Sequence, residues 1–491
     1  MLEALSSSRL NFLHASYDDN DYDTIIVIAD NTMQIEKLPY GNIIIKRMRE
    51  KQIIDNNNHR GFVTVLPNEK GTTVVIKKNV NSKDLYKWFS DVSKCFKTAD
   101  ITANKRIALM LNHASDQSAD AMVRTVLAHT QNMPNYKRKP DKCIAEIDII
   151  GDYAESDFLE VLAKHKGNAL ARYLTTLPTN YLTPLKYIQS IEKMAKTEGW
   201  RYRLYDKKML EEMGAGAFSA VARASDVAGV IKLTYQPQEG FDKTVSFVGK
   251  GVCFDTGGVS LKQPQYMEGM NDDMMGSAVA LGTFLALSMQ QVPYQMHCYL
   301  AVVQNNVDKN AFLPNEVVTA LNGKTIEVID TDAEGRMILA DTLVLASQDK
   351  PHLIIDYATL TGAAVRAIGT QYSAVFSNHY DWQDQLVQCG IASAEKVWPF
   401  PMDNLFLQDL ESDLADLKQC QVTGNADHIL AAKFLQQFVA KDIRWLHMDL
   451  ASCKNKGGLG AIPTEITGVG VWYSCQLLDQ YFSLDEHTDT V

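Results

Sequence analysis

Cysteine is scarce in this sequence: eight residues in 491, at Cys95, Cys143, Cys253, Cys298, Cys389, Cys420, Cys453 and Cys475, with no C-x-x-C pair. That argues against a disulfide framework and a zinc finger and points to a reducing compartment. No stretch reaches the roughly 18 apolar residues of a membrane-spanning helix. The start, MLEALSSSRLNFLHASYDDNDYD, has no basic segment leading into an apolar run. No membrane partner, no targeting signal and a cytoplasmic location are therefore expected. Basic residues are also in deficit: 48 Lys and Arg against 59 Asp and Glu give a net charge of −11. Nucleic acid is thus a poor candidate ligand, because phosphate binding needs clustered Lys and Arg. The motifs H-E-x-x-H, G-x-S-x-G and G-x-x-x-x-G-K-[ST] do not occur, so a single-zinc protease helix, a serine nucleophile elbow and a P-loop are unsupported.

What is present is ordinary globular composition, 46% hydrophobic and 22% charged. The length calls for more than one core, since cores rarely grow beyond about 250–300 residues. β-branched runs at 23–29 (DTIIVIA), 62–66, 72–76, 106–111 and 143–150 alternate with helical periodicity at 118–131 and 157–177. They predict a small N-terminal α/β domain over residues 1–165, for which an oligomeric or regulatory role is the expectation. Pro178 and Pro184 punctuate the chain just beyond it. Strand signals at 230–235, 244–248, 297–303, 353–357 and 445–450 follow, with helix signals at 276–290, 340–347, 429–440 and 468–481. This pattern predicts a larger α/β domain over 166–491 with a mainly parallel central sheet flanked by helices. His297, His352 and His447 lie in its apolar runs and are expected in the core.

Ligands of such sheets bind beyond the carboxyl ends of strands, and three polar segments lie there. They are VGKGVCFDTGGVSLK (248–262), MNDDMMGSA (270–278) and DTDAEGR (330–336). In an extended chain, residues two apart share a face, which would align Asp332, Glu334 and Arg336. Carboxylates held that close repel unless a cation lies between them. With Asp255 and Asp273 the set becomes four carboxylates from three segments, suited to two metals about 3.5–4 Å apart. Lys250 and Lys262 bring opposite charge to the same region. Each piece alone has a plainer reading: D-x-E is usually a solvated loop, Gly257-Gly258 only a turn, and Asp272-Asp273 a helix cap.

Taken together the segments closely resemble the leucyl aminopeptidase family of dinuclear metallopeptidases. The hallmark N-T-D-A-E-G-R appears as DTDAEGR. The blocks at 248–262 and 270–278 are intact, and DYATLTGA (356–363) and HMDLAS (447–452) complete an ordered series of five. The resemblance runs from about residue 170 to the C-terminus. It implies a metalloexopeptidase that hydrolyses the N-terminal residue, Leu-like by preference, from short peptides with a free N-terminus. It implies two divalent metal ions per subunit (Zn or Mn, with Mg or Co in the exchangeable site). Lys250, Asp255, Asp273 and Glu334 match the tight site, and Asp255, Asp332 and Glu334 the exchangeable one. Lys262 matches the lysine that polarises the scissile carbonyl. Arg336 matches the arginine that holds a bicarbonate acting as general base, with backbone groups of Ala333, Gly335 and Leu360 as its cradle. Met270, Thr359, Gly362 and Ala451 match the substrate pocket. A homohexamer built as a dimer of trimers is also implied.

The sequence departs from the family at three places. Asp330 stands where Asn is usual, TGNADHILAAKF (423–434) replaces a Gly/Arg-rich stretch, and Lys454 follows the pocket residue Ala451. Two other readings compete: a catalytically silent relative serving as a structural or regulatory assembly, and a two-metal phosphoesterase. The first is disfavoured because every ligand position is filled, the second because no phosphate clamp appears beyond Arg336.

Overall fold

The computed structural model describes residues 8–13, 18–53, 61–80, 84–101, 106–138, 145–238 and 240–488, with residues 482–488 described by backbone alone. The chain divides into two compact units, one of residues 166–455 and 468–491, the other of residues 2–165 and 456–467. The smaller unit thus takes in a late segment that the sequence pattern assigned to the larger domain. Lys97 Nζ donates to the Gly457 carbonyl oxygen within it, at 2.5 Å.

Six strands form the sheet of the smaller unit: β1 (Arg9–Leu13), β2 (Thr24–Ile28), β3 (Phe62–Val65), β4 (Thr73–Lys77), β5 (Arg106–Met110) and β6 (Glu146–Ile150). Their order is β1-β6-β5-β2-β4-β3, with parallel pairing except between β3 and β4. Every residue of β2, TIIVI, is buried, as a central strand covered on both faces requires. The strand expected from residue 143 begins at Glu146; residues 143 and 144 lie outside the described set. Helices Leu85–Thr98 and Asp116–Thr130 start where Asp84 and Ser115 accept the N–H groups of Lys87 and Ser118.

In the larger unit the strands are β7 (Arg201–Asp206), β8 (Gly229–Tyr235), β9 (Thr244–Asp255), β10 (Gln295–Asn305), β11 (Val317–Thr319), β12 (Thr325–Glu327), β13 (Leu353–Ala358), β14 (Ser373–Ser377), β15 (Val397–Pro399), β16 (Leu417–Lys418) and β17 (Arg444–Asp449). Eight of them make one sheet, in the order β15-β14-β17-β13-β9-β10-β8-β7. The four central strands β17, β13, β9 and β10 are mutually parallel. Their carboxyl ends therefore lie on one edge, where Asp255 is in register with Asn305.

Helix α1 (Met275–Met289) is buried all round from Met275 to Leu287, the mark of a helix enclosed in a core. It presses unusually close to the sheet. A Cβ on Gly249 would stand 2.4 Å from Ser277 Cα, and one on Gly276 would stand 2.2 Å from the Tyr357 carbonyl oxygen. Side chains at either position would push α1, and the turn carrying Asp273, away from β9 and β13. Helix α2 (Glu334–Gln348) corrects one expectation: Glu334 and Arg336 occupy a first helical turn, not one face of an extended chain. Another correction concerns His352, which is exposed before β13, while His297 and His447 are buried as expected. His352 Nδ1 accepts the Thr244 N–H at 3.1 Å, so it ties the start of two strands together instead of filling the core. Helix α3 (Asp427–Gln436) completes the elements around the site.

Candidate metal centre

Asp255 ends β9 and is 2% exposed. Its Oδ1 accepts from Gly257 N–H and from Asn305 Nδ2, both at 2.8 Å. The chain then turns through Gly257 and Gly258, whose φ angles of 84° and 66° favour residues without a Cβ. That turn returns Lys262 to the site, where its Nζ lies 2.8 Å from Asp255 Oδ2 and 2.5 Å from Asp332 Oδ1.

Lys250 points from the middle of β9 and is 3% exposed. Its Nζ reaches Asp273 Oδ1 at 2.8 Å, Glu334 Oε1 at 2.9 Å and the Thr359 carbonyl oxygen at 3.1 Å. Its stem passes directly against Gly335, where a Cβ would stand 2.5 Å from Lys250 Cε. The glycine of the D-A-E-G-R segment thus clears the path of the lysine. Thr359 at the end of β13 donates its hydroxyl to Asp273 Oδ1 at 2.8 Å.

One carboxylate oxygen from each of Asp255, Asp273 and Glu334 lies within 4.8 Å of the others, and all three residues are buried. Asp273 Oδ2 and Glu334 Oε2 are buried with no hydrogen-bond partner. Burial pushes the Asp273 carboxyl up to about 7, and the Asp255 charge adds to the rise against the opposing pull of Lys250. Asp332 is raised to about 6 by burial and by Asp255. Glu334 is raised well above the carboxylate range, first by burial, then by Asp255 and Asp273. Burial would lower the Lys250 and Lys262 ammoniums, but the surrounding carboxylates outweigh it and raise both. Four carboxylates meet two ammoniums here, and orphaned buried oxygens are costly unless something positive fills the space between them. The residues therefore fit a divalent cation.

Asp332 stands at the rim, with 33% of its side chain exposed. Asp330 Oδ1 accepts the Asp332 N–H at 2.9 Å, a task an Asn at that position performs equally well. Its extra charge is felt by Asp332, whose carboxyl it helps to raise. Of the expected pocket residues, Thr359 touches the cluster. Met270 opens the turn before Asp273, Gly362 is an exposed helix start, and Ala451 is buried just past β17. Lys454 pairs with Asp272 Oδ2 at 3.2 Å, so its charge is compensated beside the site.

Arg336 departs from its expected surroundings. Its guanidinium is buried, with Nη2 donating to both oxygens of Asp427 at 2.8 and 3.0 Å and Nη1 donating to the Gln419 carbonyl oxygen at 3.1 Å. Sequence reasoning missed Asn305, Asp427 and Asp449. Asn305 was findable as a polar residue ending an apolar strand run, and Asp449 as the acid of HMDLAS. Asp449 Oδ1 accepts the Leu360 N–H at 3.2 Å and its Oδ2 accepts the Thr361 hydroxyl at 2.7 Å.

The family model described as the cytosol aminopeptidase family, catalytic domain, matches residues 169–473. A probable cytosol aminopeptidase of Wolbachia pipientis wMel is 34% identical over 468 residues, covering 89% of this chain and 91% of its own length. Among solved structures, a tomato leucine aminopeptidase mutant superposes with a TM-score of 0.81 at 25% identity, covering 97% of both chains. The bottromycin maturation enzyme BotP in complex with Mn gives 0.78 at 27% identity, covering 94% of this chain and 99% of its own. Among the described residues no helix is long and apolar enough to cross a membrane.

Proposed function

The chain belongs to the cytosol aminopeptidase family, and from that membership we propose how this metal-dependent aminopeptidase uses the residues of its site. The observation that carries the reading is the buried triad Asp255, Asp273 and Glu334 with its unpartnered oxygens. Lys250, Asp255, Asp273 and Glu334 hold one divalent ion, and Asp255, Asp332 and Glu334 the other. Zn and Mn are the favoured metals, with Mg or Co in the exchangeable position; the Mn complex of BotP supports Mn. Such ions, when bound, polarise a carbonyl and lower the pKa of water to about 7.

The remaining work belongs to the chain. Lys262 stays protonated and donates to the oxygen of the scissile carbonyl as charge gathers on it. Asn305 and the Gly257 N–H hold the Asp255 carboxylate in orientation through two hydrogen bonds to Oδ1. A free α-amine is a donor that a bound divalent ion would accept as a ligand, and a blocked N-terminus lacks it. The enzyme therefore takes short peptides with an open N-terminus, Leu-like residues first, with Met270, Thr359, Gly362 and Ala451 around the first side chain. Residues 166–491 carry this chemistry and residues 1–165 serve assembly or regulation. The names of its relatives support a cytoplasmic location.

Leucyl peptides should be cleaved from the free amino end, chelation should silence the reaction, and N-acetylated peptides should survive. Equal cleavage of blocked and free peptide, read by mass spectrometry, would overturn the reading. A homohexamer, a dimer of trimers, is the proposed assembly; light scattering should report six chains, and a fully active monomer would refute it.

A further inference from the structure

Three of the four groups that the family resemblance assigns to bicarbonate, those of Ala333, Leu360 and Arg336, are in use by the chain itself. Ala333 N–H donates to the Asp330 carbonyl oxygen at 3.2 Å, and Leu360 N–H donates to Asp449 Oδ1 at 3.2 Å. Arg336 Nη2 is shared between the two oxygens of Asp427 at 2.8 and 3.0 Å, and Nη1 donates to the Gln419 carbonyl oxygen. Of the guanidinium, Nε is buried without a partner. What is left is the buried Nε, the second Nη1 hydrogen and the Gly335 N–H of the helix start, and a small planar anion would have to bind there beside the Asp427 carboxylate already paired with the guanidinium. The residues do not fit bicarbonate.

They do fit an internal anion. A guanidinium 2% exposed needs a negative partner to offset its desolvation. Asp427 supplies it from the first residue of the ten-residue helix α3, where the helix dipole favours negative charge. The pair joins α3 to the first turn of α2, the turn that begins with Glu334. A second anion on Arg336 would stand against the charges of Asp427 and Glu334, both of which act on that guanidinium. The segment that brings Asp427 is the one where the sequence leaves the family pattern.

We propose that the Asp427 carboxylate occupies the anion position on Arg336, and that this enzyme hydrolyses peptides without bicarbonate. Asp427 is a positioning residue: it holds Arg336, and through it the start of α2. The proposal rests on the aminopeptidase reading for its kinetic arm alone.

The experiment compares the metal-loaded full chain with Asp427→Ala in carbonate-free buffer and with added bicarbonate. The wild-type rate should not respond to bicarbonate. Asp427→Ala should be slower by about 10–100-fold, the range for partners that orient a metal site from outside, and bicarbonate should restore much of the loss. If Asp427→Ala does not fold, judged by circular dichroism, Asp427→Asn takes its place, since it keeps the shape and removes the charge. Binding of ¹³C-labelled bicarbonate, followed by NMR line broadening, should appear in the variant and be absent in the wild type. A wild-type rate that rises tenfold with bicarbonate, a variant at full rate without it, or equal binding by both proteins would overturn the proposal. If the wild type cleaves no peptide at all, the aminopeptidase reading fails and the binding comparison still decides the occupant of Arg336.

Discussion

Glu334→Ala should lose peptide hydrolysis and bound metal together, with a fall in rate of about 10³ or more. The magnitude follows from the several kcal/mol that metal assistance contributes, at one decade for each 1.36 kcal/mol. Glu334 opens α2 and is 1% exposed, with Oε1 at 2.9 Å from Lys250 Nζ and Oε2 without a partner. Its removal breaks the triad with Asp255 and Asp273. The metal-free fold should tolerate the change, because burial and neighbouring acids already disfavour the ionised carboxyl. Relief of that repulsion offsets the lost contact to Lys250. The expected signature is therefore a variant whose metal-free melting temperature is close to wild type but which no longer rises on adding metal. Metal content by atomic emission, read beside the rate, checks it. A Glu334→Ala protein with full metal content and a twofold slower rate would remove Glu334 from the site.

The five ordered blocks carry the acids and lysines that meet at the end of β9, but a period-two argument misjudged their local geometry. Asp332, Glu334 and Arg336 were aligned as if on a strand. Glu334 and Arg336 instead begin a helix, and the carboxylates converge because a turn and a helix start meet the end of β9. The strand read at 244–248 in fact runs to Asp255. Gly249 and Gly251 interrupt its apolar pattern, although the close approach of α1 is the reason for Gly249. The edge strand β7 escaped because RYRLYD is half polar and mostly not buried, and among the described residues it pairs with β8 alone. The Arg336–Asp427 pair joins residues 91 apart. The unusual segment around Asp427 was visible in the sequence; its partner was not, since periodicity carries no information about contacts at that range.

Lys262→Ala should separate turnover from metal binding, keeping the metals while losing about 10²–10³ in kcat, the usual cost of one preorganised oxyanion donor. Two lysines approach the cluster, and their surroundings differ. Lys250 has 4% of its side chain exposed and is enclosed by Asp273, Glu334 and the Thr359 carbonyl. Lys262 has 13% exposed and lies beside Asp332, the most open of the acids. It comes from a loop rather than the strand, with its N–H bonded to the Thr256 carbonyl oxygen at 3.0 Å, so its ammonium can follow a bound carbonyl while its base stays fixed. In the metal-free site the carboxylates around Lys262 outweigh its burial and favour the ammonium, the form that donates to a carbonyl. Because its interaction strengthens as the carbonyl oxygen gains charge, the loss should fall on kcat with KM little changed. Lys262→Arg, which keeps the charge but spreads it over a wider planar group, should recover only part of the rate. If Lys262→Ala instead emptied the metal sites, the lysine would be holding Asp255 and Asp332 in place, and the donor to the carbonyl would have to be sought elsewhere.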